Sequence, residues 1–205
     1  MRGYKWFSAL LLVTLFSCGG DIEIVEQKNE EGKIIERFQR RKSDFAKQGF
    51  YEKFSPEGVK IEEATFENDT LNGKRTIFYE NGNAQYIENY NHGQFEGAYL
   101  AYFENGKLKL EGNYENGAMK GEWKAYYDNS QLKEIVNFEN NEENGPFVEY
   151  HENGKLKAEG SYLEGDKEHG ELKLYDENGE LMRRMMCDRG ICSTVWRRDS
   201  TEKTD

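Results

Sequence analysis

Cys187 and Cys192 are the residues whose type and spacing most directly suggest a covalent reaction. The run Cys-Asp-Arg-Gly-Ile-Cys fits a disulfide closed across a turn, with Gly190 helping the bend. Such a bond forms in an oxidising compartment. Zinc is the rival chemistry, but two cysteines without paired histidines make a poor ligand set. His92, His151 and His169 share no ligand spacing and read as exposed residues. The acidic run Glu139-Asn-Asn-Glu-Glu-Asn144 lacks the ligand alternation of an EF-hand loop and reads as solvated. No glycine-rich phosphate loop opens a helix, and no Gly-x-Ser-x-Gly elbow is present. Carboxylates are abundant but recur at a fixed beat, so nothing marks one pair as an acid and a base. The expectation is a non-catalytic protein with no cofactor and no metal.

That beat is the main organising feature. Glu80-Asn81-Gly82 recurs as Glu104-Asn105-Gly106, Glu152-Asn153-Gly154 and Glu177-Asn178-Gly179, with Pro56-Glu57-Gly58 and Asp128-Asn129-Ser130 as looser copies. Successive third residues lie 24, 24, 24, 24 and 25 positions apart. A second glycine keeps the same period at 49, 73, 97, 121, 145 and 170. Five residues after it comes Phe54, Phe78, Tyr102, Tyr126, Tyr150 or Tyr175; seventeen after it comes Phe66, Tyr90, Tyr114, Phe138, Tyr162 or Cys187. Eleven after it, four copies carry leucine: Leu108, Leu132, Leu156 and Leu181. Between that leucine and the second aromatic the pattern alternates, as a half-buried strand does. Each unit therefore reads as a β-hairpin with Glu-Asn-Gly at its tip. A two-residue Asn-Gly loop would set the first aromatic on the face opposite the leucine and the second aromatic. A three-residue loop, a type I turn closed by a left-handed glycine and a bulge, would set all three on one face, and it is the preferred reading.

A further row stands two residues after the unit glycine: Tyr51, Arg75, Tyr99, Trp123, Phe147, Leu172. With the three-residue loop it faces away from the leucine side. Tyr51, Tyr99, Trp123 and Phe147 form a candidate binding stripe with about 10 Å between neighbours, suited to a protein strand, a peptide or a glycan. The other reading is a second thin core beneath the connecting loops.

The run from Gly97 to Gly117 (GAYLAYFENGKLKLEGNYENG), and Gly145 to Tyr162 after it, resemble the MORN repeat variant of bacterial proteins. The resemblance is firm over 73–182 and loose over 49–72. It implies an all-β fold, an elongated and twisted single antiparallel sheet of tandem hairpins. It also implies an antitoxin-type role for some members. Six units give twelve strands, a sheet of roughly 55 Å at 4.8 Å per strand.

Asp and Glu total 39 against 28 Lys and Arg, a net charge of −11 that argues against nucleic acid as a partner. Arg2 and Lys5 precede an apolar run from Trp6 to Phe16, about half the roughly 20 residues that cross a bilayer, so 1–17 reads as a signal peptide. Leu15-Phe16-Ser17-Cys18 resembles the lipobox of bacterial lipoproteins, which implies lipid attachment at Cys18 and a membrane-anchored protein of the cell envelope. Gly19 after the cysteine favours the outer over the inner membrane in a host with two. The division expected is a lipid-anchored tether at 18–31, an N-terminal cap at 32–48, six repeats at 49–193 and a disordered tail at 194–205. Arg37, Arg40, Arg41 and Lys42 in the cap either meet anionic lipid or form a solvated face. Two functions follow as expectations: a lipid-anchored binding or scaffold module, or an antitoxin or immunity protein that neutralises a toxin.

Overall fold

The computed structural model describes residues 11–15 and 20–198. The fold is all-β and antiparallel, with strands joined as successive hairpins and no helix among the described residues. Two compact units are distinguished, one reaching Phe95 and including Glu104–Gly106, the other comprising Glu96–Phe103 and the chain from Lys107 onward.

The first unit holds β1 (Leu11–Leu15), β2 (Ile22–Lys28), β3 (Ile34–Arg41), β4 (Lys47–Phe54), β5 (Lys60–Glu67), β6 (Thr70–Phe78), β7 (Ala84–Asn91) and the short β8 (Gln94–Phe95). The second holds β9 (Gly97–Tyr102), β10 (Leu108–Glu115), β11 (Ala118–Tyr126), β12 (Leu132–Glu139), β13 (Glu142–Tyr150), β14 (Leu156–Tyr162), β15 (Gly170–Tyr175), β16 (Leu181–Asp188) and β17 (Ile191–Arg197).

Two kinds of turn alternate. At the Glu-Asn-Gly tips the loop has three residues. The Gly82 N–H donates to the Tyr79 carbonyl and the Tyr79 N–H to the Asn83 carbonyl, and the same pair of bonds closes the tips at 152–154 and 177–179. The third residue sits in the left-handed region, where glycine carries little penalty; Ser130 occupies it at φ 73°. At the other ends, two-residue turns such as Asn68-Asp69, His92-Gly93 and Asn140-Asn141 have positive φ at both positions, the type I′ geometry that matches strand twist.

The turn is as expected, and so is the shared face of the first aromatic and the leucine, but the second aromatic is not where expected. In every tip hairpin the register slips between the fourth and fifth residues after the unit glycine: Ala125 pairs with Glu134, while Tyr126 pairs with Leu132. The extra residue, Lys133 here, forms a bulge that reverses the inside–outside parity. The first aromatic and the leucine therefore share one face, and the second aromatic lies on the other, beside the row that begins at Tyr51. Pairings such as Gly112 with Tyr99 and Tyr114 with Gly97 place that row and the second aromatics side by side.

This shared face holds the core. In the first unit Val25, Phe38, Tyr51 and Ala64 are buried with Phe66 and Leu71 against them. In the second, Val136, Phe147, Ala158, Leu172 and Cys187 are buried, with Phe138 and Tyr162 against them. The opposite face is wetter. There Tyr126 donates its hydroxyl to Glu111 at 2.6 Å and Tyr175 to Glu159 at 2.8 Å. Burial and the Glu111 carboxylate push the Tyr126 hydroxyl up to about 12.

Two expected boundaries need correction. Residues 22–28, read as tether, are β2, and Val25 is wholly buried against Phe38. Val25 and Phe38 stand 26 residues before Tyr51 and Ala64, so the repeat begins one unit earlier with a slightly longer turn. Residues 194–197, read as tail, belong to β17, which an Arg189-Gly190 turn folds back onto β16. Leu11–Leu15, inside the stretch read as a signal peptide, pairs antiparallel with β2.

Candidate functional site

The row Tyr51, Tyr99, Trp123, Phe147 does not line an open groove. Tyr51, Trp123 and Phe147 keep 7, 3 and 3% of their surface. Tyr99 packs edge-on to Tyr114 at 5.8 Å and against Trp123 at 5.6 Å. Phe147 stacks on Tyr162 at 4.2 Å. The bulge turned the stripe toward the second aromatics, so it is the core, and its use as a binding surface is set aside.

At the cap, Arg40 pairs with Glu23 at 2.7 Å, Arg41 with Asp44 at 3.1 Å and Asn68 at 2.6 Å, and Arg37 with Glu52 at 3.5 Å. Lys42 donates to the Gly20 carbonyl. The basic cluster is thus occupied by the protein itself. Cys187 and Cys192 face each other across the β16–β17 hairpin with Cα atoms 4.0 Å apart and are joined as a disulfide. Cys187 is buried in the slot where other repeats place an aromatic. Cys18 lies outside the described residues. His92 sits in a two-residue turn, His151 bonds the Tyr175 carbonyl at 3.2 Å, and His169 stands 3.4 Å from Asp188. No group of three or more His, Cys, Asp or Glu among the described residues is placed to hold a metal ion.

Two adjoining hollows open on the core-bearing face of the second unit, and both include Leu110 and Ala125. The outer one, about 400 Å³, is bordered by Phe103 and Tyr127 with Lys109 and Lys133. Each lysine lies over its neighbouring ring, Lys109 at 5.7 Å from the Phe103 centroid and Lys133 at 5.9 Å from that of Tyr127. Lys133 is the bulge residue and Lys109 its counterpart one repeat earlier, so the irregularity that sorts the faces also sets these cations at the rim. The inner hollow, about 180 Å³, is lined by Met119, Trp123, Val136, Phe138, Glu134 and Glu143 besides the shared pair. Sequence reasoning passed over Glu134 because a carboxylate in a chain this acidic carries no signal by itself, and it read Glu143, within the run 139–144, as solvated, whereas Glu143 is half-buried in the wall of the hollow. The detectable signal was departure from the repeat. Glu143 stands where Leu71, Phe95 and Met119 stand in the repeats before it.

A second missed set lies at the tips. The side-chain amide of Asn81 donates to the Glu104 carbonyl, that of Asn129 to the Glu152 carbonyl and that of Asn153 to the Glu177 carbonyl. Each of these asparagines also accepts the backbone N–H two residues on. Asparagine thus ties its own turn and the next one together, which glycine-centred reading of the tip did not reveal.

Five segments of the chain, 71–92, 95–116, 119–140, 143–164 and 168–186, match the repeat family described as MORN repeat variant. No curated protein matches the chain.

Proposed function

The chain belongs to the MORN repeat variant family, and from that premise we propose that it is a lipid-anchored, non-catalytic binding or scaffold module of a bacterial cell envelope. The family suggests binding or scaffolding; the paired hollows of the second unit support it most directly. They combine aromatic walls, two cations and an apolar floor of Leu110 and Ala125, the mixture that lets a pocket fix both the orientation and the identity of what it holds. Anchoring is supported by Leu15-Phe16-Ser17-Cys18 after a short apolar run. Two or more acyl chains hold a protein stably where one is marginal. The disulfide is consistent with an oxidising compartment.

Palmitate labelling and membrane fractionation of the wild type and Cys18→Ala test the anchor. Labelled, membrane-bound wild type and unlabelled variant are expected; a soluble, unlabelled wild type overturns it. The second reading, an antitoxin or immunity protein, rests on the family resemblance, and the anchor would restrict it to a toxin acting from outside. Co-expression of the neighbouring gene product with and without this protein tests it through growth.

A further inference from the structure

The repeats serve as each other's controls, and two of them treat the same carboxylate differently. In the first unit Glu62 meets the guanidinium of Arg75 at 2.7 Å, and the same guanidinium lies 3.1 Å from Glu88. Glu88 is buried and takes a further bond from the Tyr90 hydroxyl. Register identifies the equivalents in the second unit. Ala64 pairs with Arg75 as Val136 pairs with Phe147, so Glu62 corresponds to Glu134 and Arg75 to Phe147. Glu134 has kept the acid while the position of its cation carries a phenyl ring. Likewise Phe66 pairs with Leu71 as Phe138 pairs with Glu143. Leu71 packs on the core; its counterpart is a carboxylate.

These two departures line one hollow, the 180 Å³ space bounded by Leu110, Trp123 and Phe138. No ion pair engages either Glu134 or Glu143 among the described residues. Burial raises both carboxyls above the ordinary range, with the charge of Glu149 acting on Glu134 against a smaller lowering by Lys133 and Lys157, and those of Glu134 and Asp166 acting on Glu143. A second, independent observation lies in the same wall. Trp123 is 3% exposed and its Nε1 has no hydrogen-bond partner. A buried donor left unpaired is costly, and such atoms are rare enough in folded proteins to need a reason.

We propose that this hollow receives a basic side chain, arginine or lysine, presented by a peptide or protein partner. The partner's cation does in trans for Glu134 and Glu143 what Arg75 does within the chain for Glu62 and Glu88. The methylene stem lies along Leu110, Val136 and Phe138, as long basic side chains lie along apolar surface. Insertion displaces the Trp123 ring, so that its N–H, shut from solvent in the free chain, reaches a carbonyl of the partner. Charge-assisted bonds of this kind are stronger than neutral ones, so one inserted residue anchors an otherwise weak contact. The inference rests on the binding-module reading and names what that module takes.

The test is a titration of the ¹⁵N-labelled full chain, reading the Trp123 indole N–H, which Trp6→Phe and Trp196→Phe variants assign. The probes are N-acetylarginine amide, its neutral isostere N-acetylcitrulline amide, and spermidine. The arginine amide is expected to move the indole signal saturably and the citrulline amide not. Glu134→Gln should weaken the response about tenfold or more. Glu143→Leu, which restores the residue type found at Leu71, should do the same without disturbing the fold. No saturable shift at low salt, an equal response to citrulline, or an undiminished response in both variants overturns the proposal. Saturation by spermidine without any response to the arginine amide overturns it in favour of a free polyamine. Labelling at Cys18 tests the envelope reading separately, so failure of the titration and failure of the anchor are distinguishable.

Discussion

Gly112 and Gly160 occupy the same place in different repeats, and replacing each with alanine separates packing from backbone preference. Both lie in strand interiors, at φ values alanine adopts freely. Without a clash, alanine should stabilise such a site by about 0.5–1 kcal/mol over glycine. At Gly112 the added Cβ would stand 2.1, 2.3 and 2.6 Å from Cδ2, Cε2 and Cε3 of Trp123. The ring must retreat by more than an ångström to restore ordinary contact. It is held by Tyr114 at 5.2 Å and Phe138 at 6.0 Å, both edge-on. At Gly160 the nearest atoms are Phe147 Cε1 at 2.9 Å and Leu172 Cδ1 at 3.2 Å, a conflict of a few tenths of an ångström. Overpacking typically costs about 1–3 kcal/mol. Gly112→Ala should therefore lose about 2–3 kcal/mol, and Gly160→Ala should fall within about 1 kcal/mol of wild type. Urea unfolding followed by tryptophan fluorescence reads this as a lower midpoint at unchanged slope. Trp123→Leu in the Gly112→Ala background should recover part of the loss, a coupling that a double-mutant cycle measures. A Gly112→Ala protein as stable as wild type would refute the packing argument.

Ser130 holds a left-handed φ of 73° at a tip where the other copies carry glycine; Ser130→Gly should raise the unfolding free energy by up to about 1 kcal/mol, read as a higher urea midpoint, strain relief exceeding the added chain entropy. Reducing Cys187–Cys192, or replacing both with alanine, should cost about 2 kcal/mol for so short a loop, read by unfolding with and without reductant. Glu134 and Glu143 have raised folded-state values, so wild-type stability falls as pH rises from the ordinary carboxylate value of 4.5 through those values. Glu134→Gln with Glu143→Gln should be more stable than wild type at pH 7, with the gap closing at about pH 3.5; a gap independent of pH would contradict this.

The period, the three-residue tip and the left-handed third position were legible because each rests on local chemistry: Asn, Gly and their spacing. The facing of Phe138, opposite to Tyr126 and Leu132, was not. A single bulge at Lys133 reverses parity, and no residue type demands a bulge there; the pairing of whole strands does. The same slip decided between the two readings of Tyr51, Trp123 and Phe147 and placed them in the core. β2 was missed because Val25 precedes Tyr51 by 26 residues rather than 24, and a search locked to one period steps over it. β17 was missed because its strand carries little alternation and depends on the turn at Gly190 and the bridge at Cys187. The inner hollow was invisible for a different reason: its polar members matter by what they replaced, which requires knowing which residues are equivalent in space.

The bonds that link one repeat to another run in two senses. At the three-residue tips an asparagine amide reaches forward, as from Asn129 to Glu152 and Asn153 to Glu177. At the two-residue turns a backbone N–H reaches back, as from Asp69 to Lys47, Gly93 to Leu71 and Gly190 to Glu168. An interior repeat is thus clasped from both directions, whereas deleting an end one strands donors on one side and acceptors on the other. Shortening the protein by a whole module is consequently not a neutral subtraction, and amides at Gly93 and Gly190 should exchange slowly with solvent despite their place at the very apex of a bend.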